Sequence, residues 1–176
     1  FRNIKFNFEL IENLKIEKIK EILELRDWRF LNKLQNSNGI KYSYKSISVN
    51  FKWNSFEKIL NKCQLVISMA GTAAEQAIGM GKPIIQIEGE GPQFTKIFAE
   101  AQRRLLGDYV FCNTQFKTRD EQINGTINLI LRIIYLIKID SNFLSGCKKN
   151  ALNRIGKPGA SRKIIEDIEN YFDNGR

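Results

Sequence analysis

The sequence predicts an α/β protein: one open, Rossmann-like parallel sheet with helices on both faces, in a single domain over residues 1–176. Three observations predict it. Short apolar runs alternate along the chain with longer stretches of helical period. Residues 64–81 read as a strand, a tight glycine turn and a helix. A proline-led apolar run, Ile84-Ile85-Gln86-Ile87, follows and ends in a second glycine loop, so strand, helix and strand form a βαβ unit with parallel strands.

The elements follow in order. Ile4-Lys5-Phe6-Asn7-Phe8 alternates apolar with polar, as a strand does. Residues 14–26 place Leu14, Ile16, Ile19, Ile22, Leu23 and Leu25 mostly on one helical face, with charges opposite. Residues 28–31 read as a short extension, residues 36–39 as a turn and residues 40–49 as one strand. Asn54 or Ser55 caps a short helix ending at Asn61. Leu65-Val66-Ile67-Ser68 is an apolar, β-branched run suited to a strand buried on both faces. Met69-Ala70-Gly71 breaks it, and Thr72-Ala73-Ala74-Glu75 opens a helix with the Thr-x-x-Glu spacing of a capping box. Gly79 to Pro83 turns the chain into the second strand. After Glu88-Gly89-Glu90-Gly91-Pro92, Gln93 and Phe94 begin a helix with Phe94, Ile97, Phe98, Ala101 and Leu105 on one face, ended by Gly107. Residues 108–112 are a strand, and Thr118 opens a long helix through Ile139. Asp140 to Asn142 cap another, and residues 160–172 form a terminal amphipathic helix.

Composition narrows the classes of function. The 43% hydrophobic and 27% charged fractions are those of a globular domain with a core. The formal charge of +9 fits an anionic partner, whether nucleotide diphosphate, acidic membrane surface or nucleic acid, or else a solvated basic surface. There is no long block of like charge and no arginine–aromatic alternation, so no nucleic-acid partner is expected. Cys63, Cys112 and Cys147 are odd in number and widely spaced, which fits a reducing cytoplasm rather than a disulfide framework and offers no C-x-x-C zinc site. Histidine is absent, which removes His-based triads and His metal sites. The apolar run Leu129–Ile139 contains Arg132 and Lys138 and is too short to span a bilayer.

Chemistry concentrates between residues 64 and 106. A glycine turn between a strand and a helix bares backbone N–H groups at the positive end of the helix dipole, a favourable place for a phosphate. Here a resemblance enters. Residues 68–87, SMAGTAAEQAIGMGKPIIQI, are similar to the donor-binding motif of GT-B glycosyltransferases, among them lipid-A-disaccharide synthase and the MurG-type N-acetylglucosaminyltransferases. Those carry Ser-Gly-Thr/Ala-x-x-x-Glu and then a Pro-led strand. Residues 69–107 and the tail Arg154–Ser161 resemble a bacterial family described as lipid-A-disaccharide synthase-like.

The resemblance implies the C-terminal, donor-binding half of a GT-B fold, cut from a longer two-domain protein whose N-terminal half binds the acceptor. That chain opens at Phe1 rather than Met fits such a portion. The implied partners are a nucleotide-diphosphate sugar (a UDP-sugar), the N-terminal acceptor domain, and a peripheral membrane surface at the inner face of the cytoplasmic membrane. No metal and no further cofactor is expected, and the catalytic base would lie in the other domain.

The implied site comprises Ser68, Ala70, Gly71, Thr72, Ala73, Glu75, Gly91, Gln93 and Phe94. Gly71, Thr72 and Ala73 would present N–H groups to the diphosphate; a merely well-capped helix would look the same. Glu75 would accept from the ribose hydroxyls, or close the capping box. Gln93 would bond the donor, although the Gln followed three residues on by Asn-Ala in MurG-type enzymes is replaced here by Gln93-Phe94-Thr95-Lys96-Ile97. Glu88 and Glu90 are paired carboxylates on a glycine loop, as acid–base chemistry or mere solvation would have them. Two other functions stay open: half of a UDP-sugar 2-epimerase, which would need acid–base residues beyond these, and a non-enzymatic interaction module.

Overall fold

In the computed structural model, the described residues are 4–10, 14–35, 38–69, 71–88, 95–112 and 116–173. They form a mixed α/β structure in two compact units, Phe1–Lys62 and Cys63–Arg176.

The first unit runs β1 (Phe6–Leu10), α1 (Ile16–Glu24), β2 (Arg29–Lys33), β3 (Gly39–Tyr44), β4 (Ile47–Trp53) and α2 (Phe56–Lys62). Its sheet has the order β1-β4-β3-β2. β1 and β4 are parallel, but β2, β3 and β4 are an antiparallel meander. The expected all-parallel sheet therefore fails in this unit. Residues 40–49 are not one strand: Lys45, at φ 51°, reverses the chain in a two-residue turn and pairs Tyr44 with Ile47. Strands joined this tightly can pair only antiparallel. The extension at residues 28–31 is itself part of a strand, β2. Alternation along β3 and β4 buries Ile40, Tyr42, Val49, Phe51 and Trp53 with Ile19 of α1. The Trp53 indole N–H finds the Leu14 carbonyl at 3.1 Å, so its burial leaves no orphan donor. Glu9 Oε1 accepts from the Ser55 N–H at 2.8 Å, just ahead of α2.

The second unit runs β5 (Val66–Ser68), α3 (Thr72–Gly79), β6 (Ile84–Gln86), α4 (Lys96–Leu106), β7 (Val110–Cys112), α5 (Arg119–Ile139), α6 (Phe143–Arg154) and α7 (Ala160–Asp173). Its three strands are parallel in the order β5-β6-β7, as the alternation of elements predicts. Ile85 packs with Ile133 of α5 and with Phe143 and Cys147 of α6. Its neighbour Gln86, pointing to the opposite face, bonds Gln102 of α4. Helices thus cover both faces of this sheet. α4 begins later than expected, at Lys96, because Thr95 is the cap and its hydroxyl accepts from Phe98 N–H at 3.3 Å. Its buried face is also shifted: Ala99, Gln102 and Leu106 are inside, while Ile97 is 84% and Leu105 63% exposed. α5 starts where expected, with Thr118 Oγ1 accepting from Glu121 N–H at 3.2 Å and Glu121 Oε2 accepting from Lys117 N–H at 2.9 Å.

Burial of Cys147 has a measurable consequence. Desolvation pushes its thiol from the ordinary 9.0 up to about 12. The folded state therefore holds this proton where the unfolded chain has released it. The stabilisation is complete below pH 9 and is lost as pH rises from there toward 12. Cys147 is expected to resist iodoacetamide at pH 8 in the folded chain and to react once urea unfolds it. Labelling of Cys147 at the unfolded rate without urea would contradict this.

Candidate functional site

The carboxyl edge of the second sheet is built by one register row. Ser68, Gln86 and Cys112 are aligned across β5, β6 and β7. The row behind them on the same face, Val66, Ile84 and Val110, is apolar. The sheet thus turns polar at its carboxyl end, where open parallel sheets bind ligands.

Four residues beyond Ser68, α3 begins at Thr72. Gly71 is its cap, at φ 85° and ψ −163°, a conformation almost confined to glycine. A Cβ on Gly71 would meet nothing within 4 Å, so one side of the turn is open. The Gly71 carbonyl takes the Ala74 N–H at 2.9 Å. Among the described residues the N–H groups of Thr72 and Ala73 have no acceptor. Behind them the helix is anchored by Ala74 and Ala77, both 0% exposed, whose small side chains admit the helix close to the sheet.

The capping box is absent, which corrects the expectation from Thr-x-x-Glu. With Gly71 as cap, Thr72 is already the first helical residue and no side chain caps the helix. Thr72 and Glu75 are exposed, and neither side chain has a hydrogen bond or ion pair among the described residues. Glu75 is thereby left uncommitted in the first turn. Ser68 and Ala73 are half-buried, and the Ser68 carbonyl accepts from Ile87 N–H at 3.0 Å. The structure therefore gathers Ser68, Gly71, Thr72, Ala73 and Glu75 at one corner. Ala70, Gly91, Gln93 and Phe94, with Glu90, lie outside the described residues.

A polar cluster beside this corner escapes sequence reasoning. Gln86 and Gln102 are 3% and 5% exposed and bond each other through Gln86 Nε2 and Gln102 Oε1. Among the described residues Gln86 Oε1 and Glu88 Oε1 are buried without a hydrogen-bond partner. Burial, and then the Glu100 carboxylate, push the Cys112 thiol up, so it is a poor nucleophile near neutral pH. The only legible signal was Gln86 itself, a polar residue in an apolar strand. Among the described residues no group of three or more His, Cys, Asp or Glu side chains could hold a metal ion.

The chain matches no protein-family model, no curated protein and no solved structure.

Proposed function

We propose that the second unit is the donor-binding half of a GT-B glycosyltransferase of the lipid-A-disaccharide synthase-like kind, holding a nucleotide-diphosphate sugar at the amino end of α3. The reading rests on the resemblance of residues 68–87 to the donor motif and on one structural observation. The N–H groups of Thr72 and Ala73, without an acceptor among the described residues, stand behind a glycine with open space, at the carboxyl edge of a parallel sheet.

The chemistry follows from that corner. Transfer of the sugar leaves charge on the departing diphosphate. Fixed N–H dipoles and the helix terminus stabilise that charge without a metal ion and without reorganising during the step. The Thr72 hydroxyl adds a rotatable donor. Glu75, free of the capping role, accepts from the ribose hydroxyls. On this reading the second unit holds the donor, and neither the acceptor nor the base that activates it is placed at this corner.

Calorimetric titration with UDP and UDP-N-acetylglucosamine tests this. No heat at millimolar ligand from a folded chain would count decisively against it. Glu75→Ala is expected to weaken UDP binding roughly 10- to 100-fold, the worth of hydrogen bonds to a carboxylate. Its melting temperature should hardly move, because the side chain is exposed and unbonded. A scaffold without a ligand would show neither binding nor this loss.

A further inference from the structure

α7 is a helix without a core. All 14 of its residues, Ala160 to Asp173, are exposed. A lone helix of this length is marginal in water, and helices in proteins draw most of their stability from packing an apolar face. α7 has such a face: Ile164, Ile165, Ile168, Tyr171 and Phe172 lie within about a third of the circumference. They are 51% to 78% exposed. The 21-residue α5 is different. By length and composition it could cross a membrane, but Ile133 packs it on Ile85, Phe143 and Cys147. α7 has no such anchor among the described residues.

The order of charges identifies what covers this face. Lys157 precedes the helix, and Arg162 and Lys163 stand in its first turn. Glu166, Asp167, Glu169 and Asp173 fill the rest, and Arg176 lies outside the described residues. The helix dipole favours the reverse order, so a lone α7 carries its charges the unfavourable way round. A second α7 running antiparallel corrects this, because its acidic half lies beside the cations of the first. At about 100° per residue, Arg162, Glu169 and Asp173 share one flank of the apolar face. Lys163 and Asp167, four residues apart, share the other, and Glu166 points away from the face. Setting Ile165 opposite the second copy's Ile168 brings Arg162 level with the gap between that copy's Glu169 and Asp173. A two-fold axis repeats each contact in reverse. A parallel pair would instead set acids beside acids. Each α7 holds more acids than cations, so the pairing rests on their order and on the apolar face, not on net charge. Five apolar side chains this exposed make a patch on the order of 500 Å². With the charged flanks it approaches the ~800 Å² per partner of a stable interface.

We propose that α7 pairs antiparallel with α7 of a second copy of this chain. Ile165 and Ile168 sit at the centre of the pair, and Arg162 of each copy meets the acids of the other. This holds whether or not the chain binds a nucleotide sugar.

Sedimentation velocity of the full chain tests it. The parent is expected to be a dimer at micromolar concentration. Ile165→Glu/Ile168→Glu should raise the dimer dissociation constant at least about 100-fold. Circular dichroism should then lose no more than the helical share of α7, since α7 buries nothing within the chain. Charge exchange tests the alignment. Arg162→Glu alone, and Glu169→Arg/Asp173→Arg alone, should each dimerise roughly tenfold more weakly. An equal mixture of the two should dimerise as the parent does, because each then offers the other the opposite charge. Leu131→Glu/Tyr135→Glu, on the exposed side of α5, should leave the dimer intact. A parent that stays monomeric overturns the proposal, and a monomer that pellets with lipid vesicles would show that a membrane covers the face instead. A dimer that survives the α7 isoleucine change, or that the α5 change dissociates, overturns it as well. A mixture no stronger than its two components overturns the antiparallel alignment.

Discussion

Replacing Gly107 with alanine is expected to destabilise the chain by roughly 3–5 kcal/mol, the sum of backbone strain and a lost buried hydrogen bond. Gly107 ends α4 at φ 94° and ψ −166°, a region that side chains bar. Both its backbone groups are used: its N–H reaches Arg103 O at 2.9 Å, and its carbonyl takes Val110 N–H at 3.2 Å. The turn therefore cannot relax without loosening both α4 and β7. A Cβ would also run into the Asn150 amide and stand 3.1 Å from Arg154 Nε. Asn150 is not idle there, since its Nδ2 donates to Leu106 O at 2.9 Å and ties α6 to the end of α4. Urea unfolding of Gly107→Ala, Asn150→Ala and the double variant checks this. The double variant should lose clearly less than the sum of the singles, because the two changes strike the same contact. Strict additivity would show that strain alone is at work, and a loss under ~1 kcal/mol for Gly107→Ala would sink even the strain.

What the sequence made legible follows one rule: patterns set by burial could be read, and patterns set by a single hydrogen bond or torsion could not. The order strand, helix, strand from Leu65 to Gln86 was legible because apolar runs, a glycine turn and Pro83 mark it, but β5 is not buried on both faces as expected: Val66 and Ser68 are half-buried and Ile67 is 43% exposed. The buried side of α4 was misread because Gln102 is polar yet buried. Its partner Gln86 lies sixteen residues away, and no local pattern announces the pair. Once Gln102 faces inward, Ile97 and Leu105 must face out. The hairpin at Lys45 was missed for a related reason. Lys-Ser lacks the Asn-Gly, Asp-Gly or Gly-led signal of a two-residue hairpin, and Lys45 takes a positive φ because the cross-strand pairs from Gly39–Lys52 to Tyr44–Ile47 hold it there. The site shows the same division. Its place in the fold was legible, whereas the roles of Thr72 and Glu75 hinged on whether Gly71 or Thr72 caps α3. In sequence the two arrangements look identical.

That cap supplies the second large effect. Gly71→Ala is expected to lower affinity for UDP at least about tenfold while costing roughly 1–3 kcal/mol of stability. Sterics do not drive it, since the added methyl meets nothing within 4 Å. The torsion does: alanine at φ 85°, ψ −163° is strained, and the turn escapes by rotating the first-turn N–H groups of Thr72 and Ala73 off the ligand. Gly79→Ala, at the far end of the same helix, separates this from general damage. Gly79 is helical, and a Cβ there would make an ordinary 3.5 Å contact with Ile155. That change is expected to raise stability by about 0.5–1 kcal/mol and to leave UDP affinity alone. Calorimetry on the pair decides between a binding corner and a structural turn. If Gly71→Ala binds UDP as the parent does, the diphosphate does not sit on α3. If both glycine variants lose binding alike, the helix as a whole matters and the bare turn does not.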